Sequence, residues 1–185
     1  MKKNIFSFVA LAVILLMFVQ PAKSQEPVSG KMLFTELGGP GVLFSINFDG
    51  RFKGGERLGW GYRLGVGTSV GEFDVETRAD EFGYGYPEGK TRSYYTVPIG
   101  VNYLFGKKNS AHMFEVGAGA SFLTRKVSLF YYEVDTPGHV IGHFSFMYRI
   151  SPVNGGVSFR IGFTPVIGTS GDLFPMAGIG IGYAF

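Results

Sequence analysis

From about residue 41 onward the chain keeps a two-residue period almost without interruption, and one of the two alternating sets is nearly devoid of bulk. In 58–67 the large set is Leu58, Trp60, Tyr62, Leu64 and Val66, against Gly59, Gly61, Arg63, Gly65 and Gly67. In 114–122, Phe114, Val116, Ala118, Ala120 and Phe122 alternate with Glu115, Gly117, Gly119 and Ser121. The same split separates Val157, Phe159, Ile161 and Phe163 from Ser158, Arg160, Gly162 and Thr164, and Ile179, Ile181, Tyr183 and Phe185 from Gly178, Gly180 and Gly182. Successive side chains of a β-strand point to opposite faces, so this pattern predicts strands with one broad apolar face and one small polar face.

The small face decides the fold class. A soluble sandwich fills its core with the bulky set and covers its wet face with long charged side chains. Here the polar set is glycine, serine and a few isolated charges, too sparse for a solvated surface. With 29 glycines, 16% aromatic and only 17% charged residues, the economy fits bulky residues facing lipid and small residues lining a narrow lumen. The expectation is an all-β protein: a transmembrane antiparallel up-and-down β-barrel.

The first residues follow another logic. Lys2 and Lys3 precede the charge-free apolar run 5–19, and Ala22, Lys23 and Ser24 offer a small-residue cleavage site. This reads as a signal peptide over 1–24, ahead of a barrel domain over 25–185. An uncleaved anchor is the alternative, but the run is short for a membrane span. Three of the 17 basic residues and none of the 14 acidic ones lie in 1–24, so the remainder carries 14 of each sign. The basic balance therefore gives no warrant for a nucleic-acid partner. The absence of cysteine removes disulfides, thiolate metal sites and cysteine nucleophiles.

Eight strands are expected, near 31–37, 41–50, 57–70, 93–105, 111–124, 140–150, 156–166 and 175–185, the first being the weakest pattern. Short turns at 106–110 and 151–155 alternate with long connections at 71–92 and 125–139, the spacing of tight periplasmic turns and longer outer loops. Pro98 lies inside a strand and cannot donate to a ladder, which predicts a bulge there.

The terminal GIGIGYAF, together with ELGGPGVLFSINFD, TVPIGVNYLFG and YRISPVNGGVSFRIGFTPVIG, resembles the small eight-stranded outer-membrane barrel domains, the OmpA/OmpX-like type found in Bacteroidota. That resemblance implies the bacterial outer membrane as location, with outer-membrane lipid and lipopolysaccharide as surroundings. It also implies reading of Tyr183 and Phe185 by the barrel assembly machinery, and no peptidoglycan-binding domain is appended.

Few residues could carry chemistry. Glu36, Asp49, Arg63, Glu115, Arg149 and Arg160 fall on the small face. Buried arginines need an anion close by, so a lumen cluster of Glu115, Arg149, Arg160 and Arg63 is expected, either filling the barrel or gating it. His143 and Ser145 resemble the His-x-Ser pair of outer-membrane lipid A deacylases, in which histidine activates serine. No Asp or Glu lies between Thr136 and Gly171 to orient the ring, however, and both residues face inward. Three scattered histidines give no metal spacing, and the glycine repeats have no following helix to hold a phosphate. The 71–92 segment holds six acids, Glu72, Asp74, Glu76, Asp80, Glu81 and Glu88, against Arg78, Lys90 and Arg92. That set could bind cations at the lipopolysaccharide surface or be a solvated loop. The functional expectation is a monomeric, non-enzymatic scaffold with surface loops, a closed polar lumen and no cofactor. A narrow pore for ions or small solutes is the alternative, and a lipid-modifying enzyme the third reading.

Overall fold

A computed structural model describes residues 30–79, 85–127, 138–168, 171 and 173–185; the signal-peptide reading of 1–24 lies outside them. The described chain is a closed antiparallel barrel. Its eight staves are β1 (Lys31–Gly38), β2 (Phe44–Arg51), β3 (Gly59–Ala79), β4 (Gly85–Gly106), β5 (His112–Val127), β6 (Gly138–Ile150), β7 (Gly156–Phe163) and β10 (Ala177–Ala184). Two short strands, β8 (Val166–Ile167) and β9 (Leu173–Phe174), continue the β7–β10 hairpin in register past Pro165 and Pro175.

Each stave pairs with its sequence neighbour, and β1 closes the ring against β10 from Met32↔Ala184 to Gly38↔Gly178. Closure gives every stave a paired neighbour on both sides within the barrel and removes there the open edges that make isolated strands prone to association. Lys31 and Phe185 complete the seam by exchanging backbone hydrogen bonds, 3.0 Å for Phe185 N to Lys31 O and 3.4 Å for the reverse. Both ends of the described chain, Gly30 and Phe185, therefore lie at one rim, together with the short turns 52–58, 107–111 and 151–155. This rim is called the termini end, and the opposite rim the hairpin end.

Three local expectations are corrected, and a fourth holds. The second strand starts at Phe44, three residues late, because Gly38 and Gly39 take φ of 71° and 67° and Pro40 enters a 3-10 turn, Gly39–Gly41. Val42 then also sits at positive φ, so the chain cannot be extended before Phe44. The segment 71–92 is not mainly loop: β3 and β4 continue through it, pairing from Gly71↔Arg92 to Ala79↔Gly85. The strand expected over 156–166 is present as one stave: β8 keeps the register of β7 against β6, Phe146↔Phe163 leading to His143↔Val166, and Phe144 N donates to Pro165 O between them.

Pro98 makes no bulge. It sits opposite Ser121 in unbroken register with β5, while the β3 ladder passes from Leu64↔Ile99 to Gly67↔Thr96 without shifting. A strand residue donates to only one neighbour, so the missing N–H opens one ladder locally and leaves the other intact. Register shifts fall instead between Phe73 and Glu76 and between Phe122 and Val127.

The face assignment follows the alternation. Trp60, Leu64, Val66, Phe144, Phe146, Phe159, Ile161, Ile179 and Ile181 lie exposed on the outside, while Glu36, Asn47, Asp49, Arg63, Glu115, Arg149 and Arg160 are buried within. Apolar residues complete the interior: Met32, Phe34, Leu104, Met113 and Met147.

The inner glycines are the reciprocal of the long inner side chains. Arg160 stands opposite Gly180, Phe34 opposite Gly182, His143 opposite Gly119 and Ser145 opposite Gly117. A Cβ on Gly180 would come within 2.8 Å of Arg160 Cγ, and one on Gly119 within 2.7 Å of His143 Nε2. Each large inner side chain lies flat across the space that a neighbouring side chain would occupy. Only glycine leaves that path open in a barrel this narrow.

Candidate functional site: the ion-paired lumen

Six staves contribute to one charged chain across the lumen. Asp49 pairs with Arg51, at 2.5 Å, and with Arg149, at 3.0 Å. Arg149 also pairs with Glu115, which accepts from Arg160 at 3.2 Å. Arg160 Nε stands 3.3 Å from Glu36 Oε1, and Arg63 binds the other oxygen of Glu36. The order is Arg51–Asp49–Arg149–Glu115–Arg160–Glu36–Arg63, four guanidinium groups alternating with three carboxylates. All seven residues are buried.

The register explains why the carboxylates stand where they do. Arg149 and Arg160 are directly opposite each other on β6 and β7, an arrangement that repels. Glu115, next door on β5, takes one arginine on each oxygen and removes the repulsion. Glu36 and Arg160 lie on opposite sides of β10, and both are in register with Gly180. Arg160 reaches Glu36 across the face of that glycine.

The expected cluster of Glu115, Arg149, Arg160 and Arg63 is thus brought together, with Glu36 and Asp49 as its links. Arg51 was missed because the strand was ended at 50; its parity with Asn47 and Asp49 was the available signal. Two amides were also missed. Asn102 accepts from Arg51 at 2.7 Å and donates to Asp49 at 2.5 Å, and Asn47 accepts from Arg63 at 3.1 Å. Phe34 lies beneath two arginines, with Arg160 Cζ 4.4 Å and Arg63 Cζ 5.1 Å from its ring centre. Such cation–π contacts favour a desolvated guanidinium.

The hairpin end is filled differently. The buried Gly39–Gly41 turn folds into the mouth, where Ser121 Oγ donates to Pro40 O at 2.6 Å and Thr96 Oγ1 to Gly41 O at 3.1 Å. Beside it Val166, brought in by the β8 pairing with β6, packs with Tyr94, Leu123 and Ile141, flanked by Val42 and Met176. At the termini end Arg57 donates to Lys108 O, Ser110 O, Ser151 O and Pro152 O over 2.8–3.3 Å. One side chain therefore fastens the 52–58 turn to the other two turns. A cavity of about 30 Å³ remains there, lined in part by Asp49, Arg57, Arg149 and Ser151. A space of that size admits one or two waters.

His143 and Ser145 share the inner face but have separate partners. His143 Nδ1 is 3.4 Å from Ser121 Oγ, and Ser145 Oγ donates to Glu115 at 3.3 Å. Among the described residues no group of three or more His, Cys, Asp or Glu is arranged to hold a metal ion. Tyr183 and Phe185 lie on β10 and at its end, Tyr183 opposite Leu33 and Val157, and Phe185 exposed at the closing seam.

Fold and site together define a class: a closed eight-stranded antiparallel barrel with an ion-paired interior and an apolar exterior. Within that class no particular relative emerges, because no family model, no curated protein and no solved structure matches the chain.

Proposed function

We propose that the protein is a bacterial outer-membrane barrel, exported by the 1–24 segment, that acts as a monomeric, non-enzymatic scaffold presenting its hairpin-end connections outside a closed lumen. The observation that carries this reading is the inverted surface. Large apolar side chains cover the outside on every stave, while the charged groups are buried inside. Water would not tolerate an exposed apolar band of this extent, whereas lipid requires one.

The aromatics support a membrane interface near the termini end. Trp60 packs edge-on to Tyr103 with ring centres 5.3 Å apart, Phe105 stacks on Phe114 at 5.8 Å, and Phe114 meets Tyr148 at 5.3 Å. Amphipathic rings favour the level of the lipid headgroups. In this setting lipid and lipopolysaccharide are the surroundings, and Tyr183 and Phe185 are the groups offered to the barrel assembly machinery. A scaffold is favoured over an enzyme because Glu115, the carboxylate nearest Ser145, is already paired with two arginines. It is favoured over an open pore because the lumen is crossed by ion pairs and blocked by Val166 and the Pro40 turn.

The test is refolding of 25–185 into lipid vesicles, followed by conductance in a planar bilayer. The expected outcome is a barrel whose gel mobility shifts on boiling and which passes no current. Failure to insert would sink the membrane reading. Reproducible conductance steps, altered in Glu115→Ala, would replace the scaffold with a gated narrow pore.

A further inference from the structure

Among the described residues the seven ion-paired lumen charges do not balance, and their unmet hydrogen-bonding atoms gather at one end of the chain. Four arginines face three carboxylates, which leaves one buried positive charge. Buried side-chain atoms without a hydrogen-bond partner are Glu36 Oε1, Arg51 Nε, Arg63 Nη1, Arg160 Nε and Arg160 Nη1. Four of these five belong to a single Arg63–Glu36–Arg160 triad, in which Glu36 Oε1 and Arg160 Nε still face each other at 3.3 Å as an ion pair, so the open donors are the two Nη1 groups. At the Arg51–Asp49–Arg149 end only Arg51 Nε is unmet, the other groups being satisfied by Asn102, Gly59 O and the two Asp49 oxygens.

A buried guanidinium with an unmet N–H and no counter-charge is costly, and the cost is removed by a ligand that accepts hydrogen bonds and is negative. Arg63 and Arg160 are only 4% and 1% exposed, share Glu36, and lie over the same Phe34 ring. Their free Nη1 groups belong to neighbouring guanidinium groups. Arg63 meets Glu36 alone, while Arg160 shares Glu36 with it and Glu115 with Arg149, so the chain as a whole carries one surplus positive charge. A divalent anion would overshoot the surplus, and an organic anion would need room that this packed interior does not offer.

We propose that the Arg63–Glu36–Arg160 triad binds one small monovalent anion of halide size inside the lumen. The anion accepts from the free N–H groups of both arginines and brings the buried charge to zero. It is an integral part of the folded barrel and owes nothing to transport.

The test uses the refolded full barrel in detergent, with bromide as the probe. Crystals grown or soaked in bromide are expected to show an anomalous peak within hydrogen-bond distance of Arg63 and Arg160. The unfolding midpoint at constant ionic strength is expected to rise by roughly 3–5 °C per tenfold increase in chloride above its dissociation constant. Arg63→Met removes one of the two donors together with the surplus charge and should abolish both effects, whereas Arg51→Lys, which keeps the four-to-three count at the other end of the chain, should keep the bromide peak. Water in place of the peak, bromide at surface lysines only, or a midpoint indifferent to halide would each overturn the proposal, and the wild-type crystals alone suffice to show it.

Discussion

Glu115 illustrates how a single side chain in this barrel serves several staves. It separates Arg149 from Arg160, which the register places face to face, and also accepts from Ser145. Removing one partner of a buried ion pair strands the other, at a cost of about 3–5 kcal/mol. Glu115→Ala is therefore expected to lower the urea midpoint of the refolded barrel sharply. Lys53→Ala is the contrast. Lys53 bonds Glu56 at 2.7 Å on an exposed turn, where the pair holds Glu56 below and Lys53 above their ordinary values. Exposed pairs of this kind contribute little, so the midpoint should not move. Gly180→Val probes the other half of the design. Its Cβ meets Arg160 Cγ and Thr35 O at 2.8 Å, and overpacking of this sort costs about 1–3 kcal/mol. Retention of wild-type stability would show that Arg160 has another path to Glu36.

At the scale of elements, turns and hairpins divide the work. Arg57 is the link between the three termini-end turns, and its guanidinium donates to carbonyls on two of them. Arg57→Ala is expected to speed amide exchange and proteolysis at 107–111 and 151–155 while the hairpin end stays protected. Equal change at both ends would argue that the barrel loosens as a whole. The β3–β4 hairpin is the opposite case. The β2 ladder to β3 ends at Phe44↔Thr68, and the β5 ladder to β4 begins at Thr96↔Leu123. Beyond those pairs, β3 and β4 have no other ladder partner among the described residues, over a ribbon of roughly 35 Å at the usual rise per residue, and Tyr94 and Tyr95 at its base still touch β5. Replacing 72–90 by a two-residue turn should leave the heat-modifiable gel shift and the urea midpoint close to wild type. Loss of folding would mean that the ribbon nucleates the barrel.

For the molecule as a whole, closure of the β1–β10 seam is the step that turns a sheet into a barrel. Phe185 sits at that seam in hydrogen-bonded register with Lys31. Closing it joins the most distant parts of the sequence, which is slow because the entropy of the intervening chain is lost before the contacts form. Removal of 183–185 should slow insertion into vesicles by about tenfold or more, visible as delayed appearance of the heat-modifiable band. An unchanged rate would place the decisive contacts of closure in the rest of β10.

Alternation, glycine content and sparse charge determined by themselves that this chain forms an antiparallel barrel with its bulk outside. They also determined the inward parity of Glu36, Asp49, Arg63, Glu115, Arg149 and Arg160. Strand parity is a local property, legible wherever one face is uniformly large. The pairing of those charges was not legible, because it depends on which staves become neighbours and on register: Arg160 meets Glu36 only because Gly180 lies between them. Nor was the ribbon legible in 71–92, where acids and glycines interrupt the alternation while the backbone pairing continues. The 3-10 turn at Pro40 was likewise decided by the tertiary structure, since a mouth must exist before a loop can fill it, whereas Val166 faces inward on the same parity as Ser158, Arg160 and Thr164. The surplus positive charge belongs to the same level. A count of sequence charges finds balance over 25–185, and only closure of the barrel separates four arginines and three carboxylates from the rest.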